Sequence, residues 1–110
     1  MKLPNADEAV MSTAKLEGYA LNLAHSEGRH KALVFRSALS IGIAEAEELR
    51  NALRQAVQTQ NAEATTRNAY GQKYKVEFKM TRLGKSATVR SIWIVRNTEN
   101  FPRLVTCYIP

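Results

Sequence analysis

Residues 25–31 read HSEGRHK and hold both histidines of the chain together with a lysine. An unperturbed imidazole titrates near neutral pH, so His25 and His30 are candidate general acids or bases. Lys31 is a third candidate, because of its position. A helix beginning near Arg29 gathers Ala32, Val34, Phe35, Ala38 and Leu39 on one apolar face, and Lys31 falls near the middle of that face. A lysine aimed at a core is costly unless its amine reaches water, a carboxylate or a ligand. Partial burial would lower its pKa and suit it to proton transfer. The bland alternative is a stem that snorkels around the helix end. His30 lies at the edge of the apolar face, and His25 precedes the helix. Free N–H groups at a helix start favour an anion such as phosphate. No metal or cofactor is expected. The spacing of the two histidines matches no tight zinc motif, and the Gly28 region is too short for a Walker-type phosphate loop.

Helical periodicity in the first half would position this cluster. One helix is expected over residues 12–22, with Leu16, Tyr19, Ala20 and Leu23 at helical spacing, and a second over Arg29–Leu39. The third, in AEAEELRNALRQAVQTQ, buries Leu49, Ala52, Leu53, Ala56 and Val57, with its glutamates early and its arginines late. After residue 61 the pattern alternates. In GQKYKVEFKM, the side chains of Tyr74, Val76, Phe78 and Met80 share one face, and Lys73, Lys75, Glu77 and Lys79 the other. SATVRSIWIVR reads as an interior strand, apolar on both faces from Ser91 to Val95, and RLVTCYIP as a closing strand. A short extra strand is allowed near Glu8–Met11. Short connections favour antiparallel pairing. The expected class is α+β, a single domain over residues 1–110 with N-terminal helices packed on one face of a C-terminal antiparallel sheet.

The sheet offers complementary groups. Arg90 and Arg96 share a side of one strand, while Thr106 and Tyr108 share a face of the last. A cation there could hold a phosphate and a hydroxyl could orient it. Residues 1–66 carry seven Lys/Arg against eight Asp/Glu, and residues 67–110 carry nine against two. The basicity of the second half points to a polyanionic partner, nucleic acid or an acidic protein. On the sheet Lys73, Lys75, Lys79 and Arg96 are the candidate RNA-binding cations. The single cysteine, Cys107, cannot close an internal disulfide, no apolar run approaches bilayer length, and the N-terminus lacks a signal-peptide pattern. A cytoplasmic protein without membrane contact is expected.

Three blocks, LPNADEAV, LNLAHSEGRHKALVFRSALSI and SIWIVRNTENFPRLVTCYIP, together resemble a bacterial domain family of unknown function. Its members carry a pattern like LLNPxHPxGxxKAxxF, an xWxV strand and an LVTxY ending. They occur as small standalone proteins and as C-terminal modules of polymorphic toxins. Their order of helices, then sheet, is similar to the ribonuclease-toxin fold of barnase, EndoU, colicin-type nucleases and RelE. The resemblance implies a metal-independent ribonuclease toxin in which the RNA 2′-hydroxyl attacks the adjacent phosphate. It carries over His25 and Lys31 from the motif, with Arg90, Thr106 and Tyr108 lining the sheet side; His30 rests on proximity alone. It also implies an acidic antitoxin or immunity protein as partner. The alternative is a non-catalytic module that binds nucleic acid or protein through the basic sheet face, and a third reading is a family member with a degraded site.

Overall fold

In a computed structural model of the chain, describing residues 1–110, helices come first and a sheet follows. Helix α1 spans Arg29–Leu39 and buries Ala32, Phe35 and Leu39, the stripe its periodicity predicts. It stops where Ser40 turns left-handed (φ 55°) and donates its N–H back to the Arg36 carbonyl at 3.0 Å. Helix α2 spans Ala46–Thr59. Glu47 and Glu48 lie in its first turn, and Ala46, Leu49, Leu53, Ala56 and Val57 are buried; the expected Ala52 is only half-buried.

The segment expected as a helix over residues 12–22 takes a different form. Leu16–Ala20 is a π-helical turn, with the Gly18 N–H on the Thr13 carbonyl (2.9 Å) and the Leu21 N–H on the Leu16 carbonyl (2.9 Å). Leu16 and Ala20 point into the core, and Tyr19 is left half-buried at its rim.

Four strands, β1 (Ala62–Arg67), β2 (Gly71–Arg82), β3 (Lys85–Arg96) and β4 (Pro102–Tyr108), pair antiparallel in sequence order. Strand β1 lies outside the elements that the periodicity predicts, and the reason is physical. Only Ala62 of its six residues is buried, so an edge strand with both faces wet shows no apolar alternation. Its local signal lies in the turn that follows, where the Asn68 side-chain oxygen accepts the N–H groups of Tyr70 (2.8 Å) and Gly71 (3.2 Å). Near the N-terminus the extra strand reduces to one parallel bridge, Val10 with Arg103. Between β2 and β3 the turn is Leu83–Gly84, and Gly84 supplies a φ of 79°.

Strand β3 is interior, as its two-sided apolarity predicts. Its Val89, Ser91 and Trp93 face the helices, and the core joins them to Phe35, Leu39, Leu49, Leu53, Val57, Val76, Leu104 and Cys107. Ser91 is the only buried polar side chain. It donates to the Val76 carbonyl (2.7 Å) and accepts the Trp93 indole N–H (2.9 Å), so both groups are satisfied without water. The other sheet face carries the cross-strand rows Glu77–Arg90–Tyr108 and Lys75–Ile92–Thr106.

Ion pairs fasten the helices. Arg50 on α2 is held by Glu17 of the π-turn at 2.7 Å and by Glu47. Arg82 on β2 holds Glu48 at 2.5 Å and donates to the Leu39 and Ser40 carbonyls at the end of α1. The Arg50 hydrogen bond keeps the Glu17 carboxyl below its ordinary range, against the opposing effect of burial. A depressed carboxyl pKa stabilises the fold above the unfolded value and loses that stabilisation as pH falls through the folded one. Glu17→Gln is therefore expected to cost on the order of 1 kcal/mol at pH 7. Denaturant midpoints of the two proteins should converge as pH falls into the acid range; a gap unchanged by pH would show that the ion pair is not its source.

Cys107 is fully buried, and burial pushes its thiol up to about 12, partly opposed by the nearby Lys31 charge. The native protein should resist alkylation by iodoacetamide at pH 8 and react rapidly in denaturant. Fast native labelling would place this residue at the surface.

Candidate active site

Lys31 occupies the first turn of α1 and is half-buried, leaning toward the edge of the sheet at β4. Its ammonium donates to the Tyr19 hydroxyl at 2.8 Å and to Thr106 Oγ1 at 3.3 Å. It also lies 4.7 Å from the Tyr19 ring centre and 5.3 Å from that of Tyr108, within cation–π range of both. No carboxylate forms an ion pair with it. This amine is thus held by hydroxyls and ring faces while its charge lacks a counter-ion.

Arg90 stands beside this group, with its guanidinium carbon 5.7 Å from the Tyr108 ring centre and its Nε on Glu77 at 2.8 Å. Tyr108, then Glu77, push its pKa up further, although an arginine is charged at any biological pH. The structure therefore brings together Lys31, Arg90, Thr106 and Tyr108, four residues singled out from the sequence.

His25 joins through Tyr19, whose ring it meets edge-on at 4.9 Å between centres. Its Nδ1 accepts the backbone N–H groups of Glu27 (3.1 Å) and Gly28 (3.0 Å), and its carbonyl accepts that of Arg29 (2.9 Å). The neutral ring must then carry its proton on Nε2, which makes it a hydrogen-bond donor toward solvent or substrate. These bonds occupy the Glu27, Gly28 and Arg29 N–H groups that lead into the helix. Gly28 is required for this docking, because a β-carbon there would overlap the Tyr19 carbonyl oxygen.

His30 is exposed and takes no part in these contacts. The proposed sheet cations also lie apart from the cluster. Lys75 is paired with Glu63 (3.2 Å) and lies 3.9 Å from Glu77, Lys79 is exposed opposite Thr88, and Lys73 and Arg96 line a separate hollow. No three His, Cys, Asp or Glu side chains converge as a metal-binding set.

Sequence reasoning missed Tyr19, assigned there to an apolar face, and Glu27. A tyrosine on a core-facing stripe needs a partner for its hydroxyl, which is the signal that could have found it. Glu27 is the one carboxylate in a surface hollow formed with Lys15, Tyr19, His25 and Thr106.

These features define a small α+β protein, with helices on one face of a four-stranded antiparallel sheet and a cationic, hydroxyl-rich cluster at the sheet edge. The chain belongs to the family described as Domain of unknown function (DUF6883), whose model matches residues 2–110. No curated protein matches it significantly. No helix is long and apolar enough to cross a membrane.

Proposed function

We propose that the protein is a metal-independent endoribonuclease, acting in the cytoplasm as a toxin whose basic surface is covered by an acidic antitoxin or immunity protein. The observation that carries the reading is the half-buried Lys31 ammonium, ringed by Tyr19, Thr106 and Tyr108 and lacking a carboxylate partner. Such a cation is poised for a mobile anion, and a phosphodiester supplies one. The order of helices then sheet, similar to that of ribonuclease toxins, supports the same reading at the level of architecture only.

In the proposed reaction the 2′-hydroxyl loses its proton to a base and its oxygen attacks phosphorus. The 5′-oxygen departs with a proton, leaving a 2′,3′-cyclic phosphate. Lys31 and Arg90 stabilise the charge that builds on the phosphoryl oxygens, and Thr106 and Tyr19 orient them. His25 Nε2–H donates a hydrogen bond to the leaving oxygen, the Lys31 ammonium supplies the proton that departs with it, and Glu27 is the acceptor that the hollow offers. A pure binding module on the basic sheet face is less well supported, because Glu63 and Glu77 neutralise the central Lys75.

Total RNA incubated with the purified protein in EDTA should yield fragments ending in cyclic phosphate; RNA left intact defeats the nuclease reading. His25→Asn keeps a side-chain oxygen for the Glu27 and Gly28 N–H groups but has no ring Nε2. It should retain the fold and lose cleavage about 10²-fold. Full activity in this variant would restrict His25 to shaping the loop.

A further inference from the structure

We infer that a row of hollows, running from the outer face of the sheet near the β1–β2 turn to the β4 edge, is the binding track for single-stranded RNA, with one base stacked on Tyr70. The inference rests on the RNA reading above and names the form of substrate. Three surface hollows share walls. Val105 lines all three, Ile94 and Arg96 line the first two, and Lys15 lines the second and the third. Shared walls set the three side by side, from the β1–β2 turn to the hollow that holds His25, Tyr19 and Thr106.

The far end is an aromatic platform. Tyr70 is 76% exposed, and burial in the core gives no account of it. Its turn is nevertheless tightly held. Asn68 accepts the Tyr70 N–H, the Asn97 N–H donates to the Tyr70 carbonyl (3.0 Å), and the Asn97 side chain donates to the Ala69 carbonyl (2.8 Å). An exposed ring on a firmly held turn suits base stacking, which is indifferent to sequence and open to a single strand but closed to the paired bases of a duplex.

Cations follow the hollows. Lys73 and Arg96 stand with Tyr70 in the first hollow, and Lys15 leads from the second to the third. None of the three has a carboxylate within ion-pair distance; Arg103, in the second hollow, is instead neutralised by Glu99 at 2.7 Å. The remaining acid on the route is Glu27, at the catalytic end. Cations interleaved with an aromatic, leading to a phosphate-accepting lysine, match a nucleic-acid strand, whose charge is regular and whose bases present flat faces.

The test is fluorescence anisotropy with a 2′-O-methyl oligonucleotide, which cannot be cleaved, as a single strand and as a duplex. The single strand should bind more tightly, and Tyr70→Ala should weaken it about tenfold. Lys73→Ala, Arg96→Ala and Lys15→Ala should each lower the slope of log affinity against log salt by about 0.7. Arg54→Ala, on the exposed side of α2, should change neither quantity. Equal affinity for strand and duplex, or wild-type binding by Tyr70→Ala and the three cation variants, overturns the track. Because binding is read without cleavage, the two readings fail separately. Binding along the track by a protein that leaves RNA intact removes only the nuclease, and cleavage indifferent to these variants removes only the track.

Discussion

Lys31→Met is expected to lower RNA cleavage by about 10²- to 10³-fold, the usual loss when one preorganised donor to a developing oxyanion is removed. Methionine keeps the length and apolar stem that pack against Tyr19 and Tyr108 and removes only the charge. The fold should tolerate it, because the amine bridges two hydroxyls at a half-buried rim. The melting temperature should stay within about 5 °C of wild type, corresponding to roughly 1 kcal/mol in a domain of this size. Lys31→Arg should rescue poorly, since a planar guanidinium cannot place a point charge between the same two oxygens. Full cleavage by Lys31→Met would remove the residue on which the proposed chemistry rests. A collapse of stability with it would mark a structural cation instead.

Trp93→Ala should have the largest effect on stability, about 3–5 kcal/mol. Trp93 is fully buried in the middle of the interior strand, and truncation leaves a cavity between Tyr74 and Leu104, its neighbours across the sheet. It also removes the indole donor from Ser91, whose hydroxyl is then left with only its bond to Val76. Small domains carry only about 5–15 kcal/mol in all, so the melting temperature should fall by more than roughly 12 °C. Trp93→Phe refills most of the space and should be milder, although it too loses the N–H. Equal losses from both substitutions would mean that the hydrogen bond, and not the ring volume, dominates this site.

Much of the fold was legible because burial imposes a period. Helix α1 runs over the residues its spacing predicts, α2 buries most of its predicted stripe, and β2 turns Val76 inward with Tyr74, Phe78 and Met80 packed beside it. The same logic exposed Lys31 as a charge on an apolar face. Where burial imposes no period, the pattern falls silent. Strand β1 is wet on both sides, and the π-turn at Leu16–Ala20 differs from an α-helix by a shift of one hydrogen-bond partner that side-chain spacing hardly registers.

The residues around Lys31 show where local reasoning stops. Its own sequence placed it inward, and the family pattern added His25. That Tyr19 and Thr106 are the groups it meets depends on contacts 12 and 75 residues away along the chain. His30, adjacent in sequence, points to solvent, because one step along a helix turns a side chain by about 100°. Lys75 looked like a free cation until strand pairing set it beside Glu63 and Glu77. Tyr70, a turn residue without evident purpose in the sequence, joins Lys73 and Arg96 only once β2 and β3 are paired. By itself, then, the sequence determined the α+β class, the interior strand and the inward lean of Lys31, because each follows from apolar spacing within one element. The partners of that lysine and the meeting of Tyr70 with Arg96 were decided only by the tertiary structure, because each depends on distances between elements that no local period encodes.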